Sequence, residues 1–129
     1  MGSNPTLSAQ IDGGVGILPR AAWFANFHPP SLMVGPATSL LLDSDEQASA
    51  ALGPVVASLR ERGFDRSMVD ECRVQLLTAG TALASAVFTR LAGEVVLERF
   101  GATYLLAKRG DRWGVVVVTG HPAESLPIT

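Results

Sequence analysis

The sequence has few cysteines, few charged residues and no long apolar run, and each of these shortages excludes a class of protein. Its 129 residues include one cysteine, Cys72, so no disulfide framework can form within the chain, and the paired ligand spacing of a zinc site is absent. Charged residues are 17% of the chain and the formal net charge is −2, which provides no general attraction for nucleic acid or an anionic membrane. No apolar run reaches the roughly 20 residues of a membrane span, and the polar start is unlike a signal peptide. We therefore expect a cytoplasmic protein without metal, cofactor, nucleic-acid partner or membrane partner.

Apolar residues, in contrast, are abundant at 47% of the chain. The sequence is too apolar for disorder, and its length suits one domain with one modest core. An apolar surplus in a small domain often lies in a subunit interface or lines a cavity. All but one of the ten basic residues are arginine, and alanine, glycine and valine are frequent, which favours a bacterial source.

Four strand-like runs in the second half of the chain predict a single sheet. They cover Met68–Thr78, Thr81–Leu91, Val95–Ala107 and Trp113–Thr119. The connections between them are short and contain glycine, which favours antiparallel neighbours and hence a meander.

The segment 44–62 predicts the central helix. Ser44 and Gln47 have the spacing of a capping box, and Gly63 suits the position just after a helix. Pro54 removes one backbone donor and crowds the preceding turn, so we expect a kink or break there.

The remaining segments complete a one-domain organisation. We expect a flexible arm over 1–18, a single domain over 19–121 and a tail over 122–129. Within the domain, 19–27 suits a short helix with an aromatic face, and 31–43 suits a small hairpin or a bent strand.

Four motifs follow one another along these elements: Trp23-Phe24-Ala25-Asn26-Phe27-His28-Pro29, Asp43-Ser44-Asp45-Glu46, Leu59 to Gly63-Phe64, and Tyr104-Leu105-Leu106 with Asp111-Arg112-Trp113. In these motifs and in the order of its elements the chain resembles the nuclear transport factor 2-like superfamily, which includes SnoaL-like proteins. The resemblance implies an α+β fold of cystatin-like type, a cone in which a curved antiparallel sheet of four long strands plus one or two short ones wraps around a central helix. The N-terminal helical part is reduced here.

The resemblance also implies a cone-shaped apolar pocket for a small ligand. Strict alternation along the first long strand places Met68, Asp70 and Cys72 on one face. Whether that face lines the pocket stays open. The expected pocket walls are Trp23, Phe27, Met33, Met68, Cys72, Phe88, Phe100 and Tyr104.

Three residues are candidates for catalysis, namely Asp70, His28 and Tyr104. A desolvated Asp70 would have a raised pKa and would act as a base, whereas a solvated strand-end carboxylate would not. His28 would be an acid or base at the pocket mouth, or an ordinary capping residue. Tyr104 would donate to a ligand oxygen, or to a backbone carbonyl.

Three functions are consistent with the sequence. The first is a homodimer, joined through its sheet, that binds a small apolar molecule in the cone. The second is a SnoaL-like enzyme of isomerase, cyclase or dehydratase type. The third is a non-catalytic dimeric module that pairs with itself or another protein.

Overall fold

The computed structural model describes residues 27–125, which form one six-stranded sheet and one helix. The expected arm, residues 19–26 with Trp23, and the last four residues of the tail lie outside the described part. The elements are β1 (Phe27–Val34), β2 (Ser39–Leu42), α1 (Asp45–Glu61), β3 (Arg66–Thr78), β4 (Thr81–Ala92), β5 (Val95–Arg109) and β6 (Arg112–His121). Within residues 27–125 no helix is long and apolar enough to span a membrane.

The strand order is β2-β1-β6-β5-β4-β3, and the four long strands form the predicted antiparallel meander. The segment 31–43 belongs to the hairpin of β1 and β2. Phe27, expected at the end of a helix, instead begins β1. That strand joins the meander by parallel pairing with β6. No local sequence pattern predicts this contact, because the two strands are far apart in the chain.

Helix α1 begins and ends as its capping residues predict. The Ser44 hydroxyl accepts from the Gln47 backbone N–H at 3.2 Å, and Gly63 follows the helix with φ +78°. Of the kink or break expected at Pro54, the break was wrong, because the helix runs unbroken from Asp45 to Glu61. Two features explain this. Gly53 has no Cβ for the proline ring to crowd, and Ala50 is exposed, so its unpaired carbonyl can bond to water.

One face of the sheet, the inner face, contributes to the hydrophobic core. The opposite face is called the outer face below. Ala48 of α1 belongs to the same buried cluster as the inner face, and Ala51 packs against it. The sheet residues of this core are Phe27, Leu42, Ala82, Ala84, Ala86, Phe88, Ala102, Tyr104, Leu106, Trp113 and Val115.

A β-bulge at Asp70 divides the residues that strict alternation placed together. Val69 pairs with Phe88, and Cys72 pairs with Ala86, so both lie on the inner face. The register shifts between them, and Asp70 is the extra residue. Met68 and Asp70 lie on the outer face, so the predicted common face was wrong for Cys72.

Both histidines of the chain lie on the outer face, each over a glycine of the neighbouring strand. A Cβ built on Gly114 would lie 2.5 Å from the His28 ring, and one on Gly101 would lie 2.4 Å from the His121 ring. These contacts are too short for any side chain, so each glycine makes room for an imidazole.

We expect Gly114→Ala to destabilise the fold by about 1–3 kcal/mol, because the buried His28 ring has no room to move away. Urea unfolding measures the change. Gly80→Ala is the control. Its added methyl would meet only Lys108 O at 3.9 Å, so its effect should stay within about 0.5 kcal/mol. Equal effects of the two substitutions would contradict the close packing of His28.

Candidate functional site

The centre of the inner face carries one polar group in apolar surroundings. Tyr104 pairs with Ala84 on β4 and with Val118 on β6, and only 3% of the residue is exposed. Its hydroxyl is buried without a hydrogen-bond partner among the described residues. A buried hydroxyl without a partner is unfavourable by about 1–3 kcal/mol. A ligand oxygen that accepts a hydrogen bond from this hydroxyl would explain why the group is buried without a protein partner.

Burial raises the pKa of the Tyr104 hydroxyl well above its ordinary value of 10.0. The nearby Cys72 thiol raises this pKa further, and the positive charge of Arg90 opposes the shift. The phenol consequently keeps its proton over the physiological pH range and remains a hydrogen-bond donor.

A charged cluster lies at the end of the inner face, next to Phe100. Glu98 Oε1 accepts from Arg90 Nη1 at 3.2 Å and from Arg62 Nη1 at 3.3 Å. The Arg90 guanidinium lies over the Phe100 ring, 4.3 Å from its centroid, and Phe100 stacks on Phe88 at 5.3 Å. Cation–π contact and the shared carboxylate hold Arg90 in place. Its Nε–H is buried without an acceptor among the described residues.

The outer face carries a chain of hydrogen bonds across three strands. Ser85 and Thr103 join through their hydroxyls at 2.9 Å, and the Thr103 hydroxyl meets His121 Nε2 at 2.7 Å. His121 Nδ1 lies 2.9 Å from the carbonyl of Pro122, which can only accept. In the neutral ring Nε2 therefore accepts from Thr103, and Thr103 accepts from Ser85. His121 is thus bound on both nitrogens.

His28 is also fully engaged on the outer face. Arg112 Nη2 lies 3.0 Å from His28 Nδ1, and Nε2 lies 2.8 Å from the Arg112 carbonyl. A guanidinium can only donate, so Nδ1 accepts and the ring proton is on Nε2. Ser31, fully buried nearby, has its hydroxyl 2.9 Å from two carbonyls, those of His28 and Val115.

Asp70 lies on the outer face at the other end of the sheet. Its carboxylate accepts from the Thr89 hydroxyl and lies 3.4 Å from Arg99 Nε. Thr89 and Arg99 are opposite each other on β4 and β5. Residue Asp70 is solvent-exposed. Its environment is that of a surface ion pair, and it differs from the desolvated site that the base hypothesis requires.

A family model described as NTF2-like protein (DUF6841) matches residues 7–123. The chain belongs to this NTF2-like family. A search of curated proteins finds no match.

Solved structures share the fold at low sequence identity. An NTF2-like protein of unknown function from Prochlorococcus is 13% identical with a TM-score of 0.66, over 97% of this chain and 96% of that one. A candidate ketosteroid isomerase from Parabacteroides distasonis is 11% identical with a TM-score of 0.65, over 95% and 91%. A protein of unknown function with a cystatin-like fold from Nostoc punctiforme is 13% identical with a TM-score of 0.63, over 94% and 89%. The predicted cystatin-like α+β fold is confirmed.

The NTF2-like sheet does not bring the three catalytic candidates together. Tyr104 lies on the inner face, whereas His28 and Asp70 lie on the outer face, at β1 and β3 respectively. No two of them share a site where a proton could pass between them. A catalytic role for any one of them stays a prediction. Within residues 27–125 no group of three His, Cys, Asp or Glu side chains could hold a metal ion.

Most of the predicted pocket residues that the structure describes do meet on the inner face. Phe27, Phe88 and Tyr104 are in the buried cluster, and Met33, Cys72 and Phe100 pack against it. Met68 does not join them. It pairs with Thr89 and is 49% exposed, because the bulge at Asp70 turns it to the outer face.

The sequence pattern missed two sets of residues. Arg90 and Glu98 occupy inner-face positions that a charge pattern assigns to solvent, and their alternation with Phe88 and Phe100 was the signal available. The hydroxyl–imidazole chain of Ser85, Thr103 and His121 had no signal in the sequence, because it depends on the register of three strands.

The sole tyrosine of the chain allows a direct test of its burial. The folded state keeps the Tyr104 proton above pH 10, whereas the unfolded chain loses it near pH 10. This contribution to stability is therefore constant below pH 10 and falls as pH rises, by at most about 1.4 kcal/mol per pH unit. Phenolate absorbance should appear together with loss of the far-ultraviolet circular dichroism of the fold. Tyr104→Phe should remove this part of the fall in the free energy of unfolding above pH 10. Phenolate formation near pH 10 in the folded state would contradict the burial.

Proposed function

We propose that the chain binds a small apolar molecule against the inner face of its sheet, with the Tyr104 hydroxyl as donor to one ligand oxygen. The observation that supports this is a buried hydroxyl without a partner, set among alanine and aromatic side chains. Ligand sites are mostly apolar with a few placed polar groups. The binding function is also in keeping with the fold that the chain shares with the candidate ketosteroid isomerase from Parabacteroides distasonis.

Binding, not catalysis, is the function that the geometry favours. Acid–base chemistry of isomerase type needs a proton acceptor and a donor that both reach the same substrate molecule. Tyr104 is a donor with a raised pKa, and neither Asp70 nor His28 shares its face. An isomerase activity on a small apolar substrate is the alternative, and it would require a base from outside these three residues.

Two fluorescent naphthalene probes test the proposal. Prodan has a ketone oxygen, whereas N-phenyl-1-naphthylamine has no carbonyl. We expect both to bind, and Tyr104→Phe to weaken prodan about tenfold, the worth of one hydrogen bond of ~1.4 kcal/mol. The affinity for N-phenyl-1-naphthylamine should not change.

Ser85→Ala is the matched control for this titration, because it removes a buried hydroxyl from the outer face of the same sheet. It should leave both affinities as they are. If neither probe binds the wild-type chain, or if both substitutions weaken prodan equally, the proposed site is wrong.

A second proposal concerns the outer face, where we infer that two copies of the chain pair. An outer apolar row crosses five strands in register, and it comprises Leu41, Leu32, Val117, Leu105 and Leu83. Leu41 is 48% exposed and Leu32 is 39% exposed. The side chains of Ser85, Thr103 and His121 lie on the same face and already bond to one another and to a backbone carbonyl. Burying them would therefore leave few polar groups without a hydrogen-bond partner. An apolar face with internally paired polar groups suits burial against a second copy.

Sedimentation velocity across a wide concentration range tests the pairing. We expect a dimer, and we expect Leu32→Lys to produce a monomer because it places a charge in the buried row. Val55→Lys is the control, since Val55 is 43% exposed on α1, away from the sheet. A wild-type chain that stays monomeric at high concentration would overturn the proposal, as would equal dissociation by both substitutions.

A further inference from the structure

The charges at the end of the inner face do not balance. Arg90 and Arg62 share the single carboxylate of Glu98, through the same oxygen. Two guanidinium groups and one carboxylate leave a net charge of one positive unit. Of the three, Arg90 is the most buried, with 14% of its side chain exposed against 34% for Glu98 and 43% for Arg62. The surplus charge at Arg90 is therefore less screened by water than a surface charge.

Arg90 also has unused donor capacity. A guanidinium carries five N–H groups, and Nη1 is bound to Glu98. The Nε–H is buried and has no acceptor among the described residues. Stacking on Phe100 fixes the plane of the group, which leaves a donor of fixed orientation beside an aromatic surface.

Tyr104 provides a second buried donor on the same face. Its hydroxyl has no partner among residues 27–125, and the charge of Arg90 acts on it electrostatically. Arg90 Nε and the Tyr104 hydroxyl thus lie on a face with a surplus positive charge, and donors without acceptors on such a face favour an anionic acceptor. The Ser67 hydroxyl, opposite Arg90 on β3, is likewise buried without a partner among the described residues. A neutral ligand would satisfy the hydrogen bonds but not the charge.

We propose that the inner-face ligand is a small carboxylate with an apolar body, whose carboxylate accepts from Arg90 Nε and the Tyr104 hydroxyl while its body lies against the aromatic side chains. This rests on the proposed binding function and specifies its ligand class. A carboxylate matches the single surplus charge and the planar geometry of a guanidinium. A dianionic phosphate would leave a surplus negative charge next to Glu98.

The proposal is tested with two naphthalene ligands of the same shape, the anion 2-naphthoate and the neutral ketone 2-acetylnaphthalene. Isothermal titration should show that 2-naphthoate binds at least tenfold more tightly. Arg90→Met, which keeps an apolar stem against Phe100, should abolish this preference, because it removes the charge that favours 2-naphthoate and so weakens 2-naphthoate far more than 2-acetylnaphthalene.

Glu98→Gln should change the affinity for 2-naphthoate in the opposite direction. It removes the competing carboxylate and should tighten 2-naphthoate binding several-fold, a gain that misfolding cannot produce. Arg99→Met is the matched control for Arg90→Met. Arg99 follows Glu98 on β5, but its side chain contacts Asp70 on the outer face. It changes the net charge as Arg90→Met does, and it should leave both affinities unaltered.

The outcomes separate the two proposals. If both ligands bind with equal affinity and Glu98→Gln does not favour 2-naphthoate, the carboxylate inference is wrong and the binding site stands. If Arg90→Met and Arg99→Met weaken 2-naphthoate equally, net charge and not Arg90 sets the preference, and the inference is again wrong. If neither ligand binds, the proposed function fails and the inference falls with it.

Discussion

The register of β4 against β5 is the constraint on which the rest of the structure depends. Residues opposite each other in an antiparallel pair point to the same side, and the side alternates along the strand. The pairing of Ala84 with Tyr104 therefore places the tyrosine on the inner face, and the pairing of Ser85 with Thr103 places two hydroxyls on the outer face. A slip of one residue would exchange the two faces, burying the hydroxyls in the core and exposing the aromatic side chains. One register thus determines the apolar core, the inner donor and the outer hydrogen-bond chain together.

The two faces handle their polar groups in opposite ways. On the outer face Ser85, Thr103 and His121 bond to one another and to a carbonyl, so the chain of groups is closed. On the inner face the Tyr104 hydroxyl and Arg90 Nε have no partners among the described residues. Buried polar groups are almost always paired in folded proteins, so the contrast has physical meaning. The outer face, whose polar groups are paired with one another, is suited to contact with another protein surface. The inner face, whose donors have no partners among the described residues, is suited to a ligand that supplies acceptors.

Much of this fold follows from local sequence signals. The capping box at Ser44, the glycine after the helix and the turns between the long strands each depend on residues that are close in the chain, and all were confirmed. The bulge at Asp70 could not be predicted, because an inserted residue leaves no mark in a strand whose neighbours are all compatible with either face. The parallel pairing of β1 with β6 joins residues more than 80 positions apart. The candidate site was consequently predicted in its aromatic residues and missed in Arg90, whose burial depends on Phe100 and Glu98 from another strand.

The same bulge decides how the acidic side chain of β3 is used. If β3 alternated strictly, with no bulge, position 70 would share the inner face with Cys72, and the carboxylate of Asp70 would lie in the apolar core. Such a carboxylate would be desolvated and would compete with a bound anion for the same donors. With the bulge, Asp70 instead reaches Thr89 and Arg99 outside. The inner face therefore has Glu98 as the acidic partner of Arg90, and this single carboxylate is shared with Arg62. The surplus positive charge on the inner face thus depends on the bulge, which keeps the carboxylate of Asp70 on the outer face.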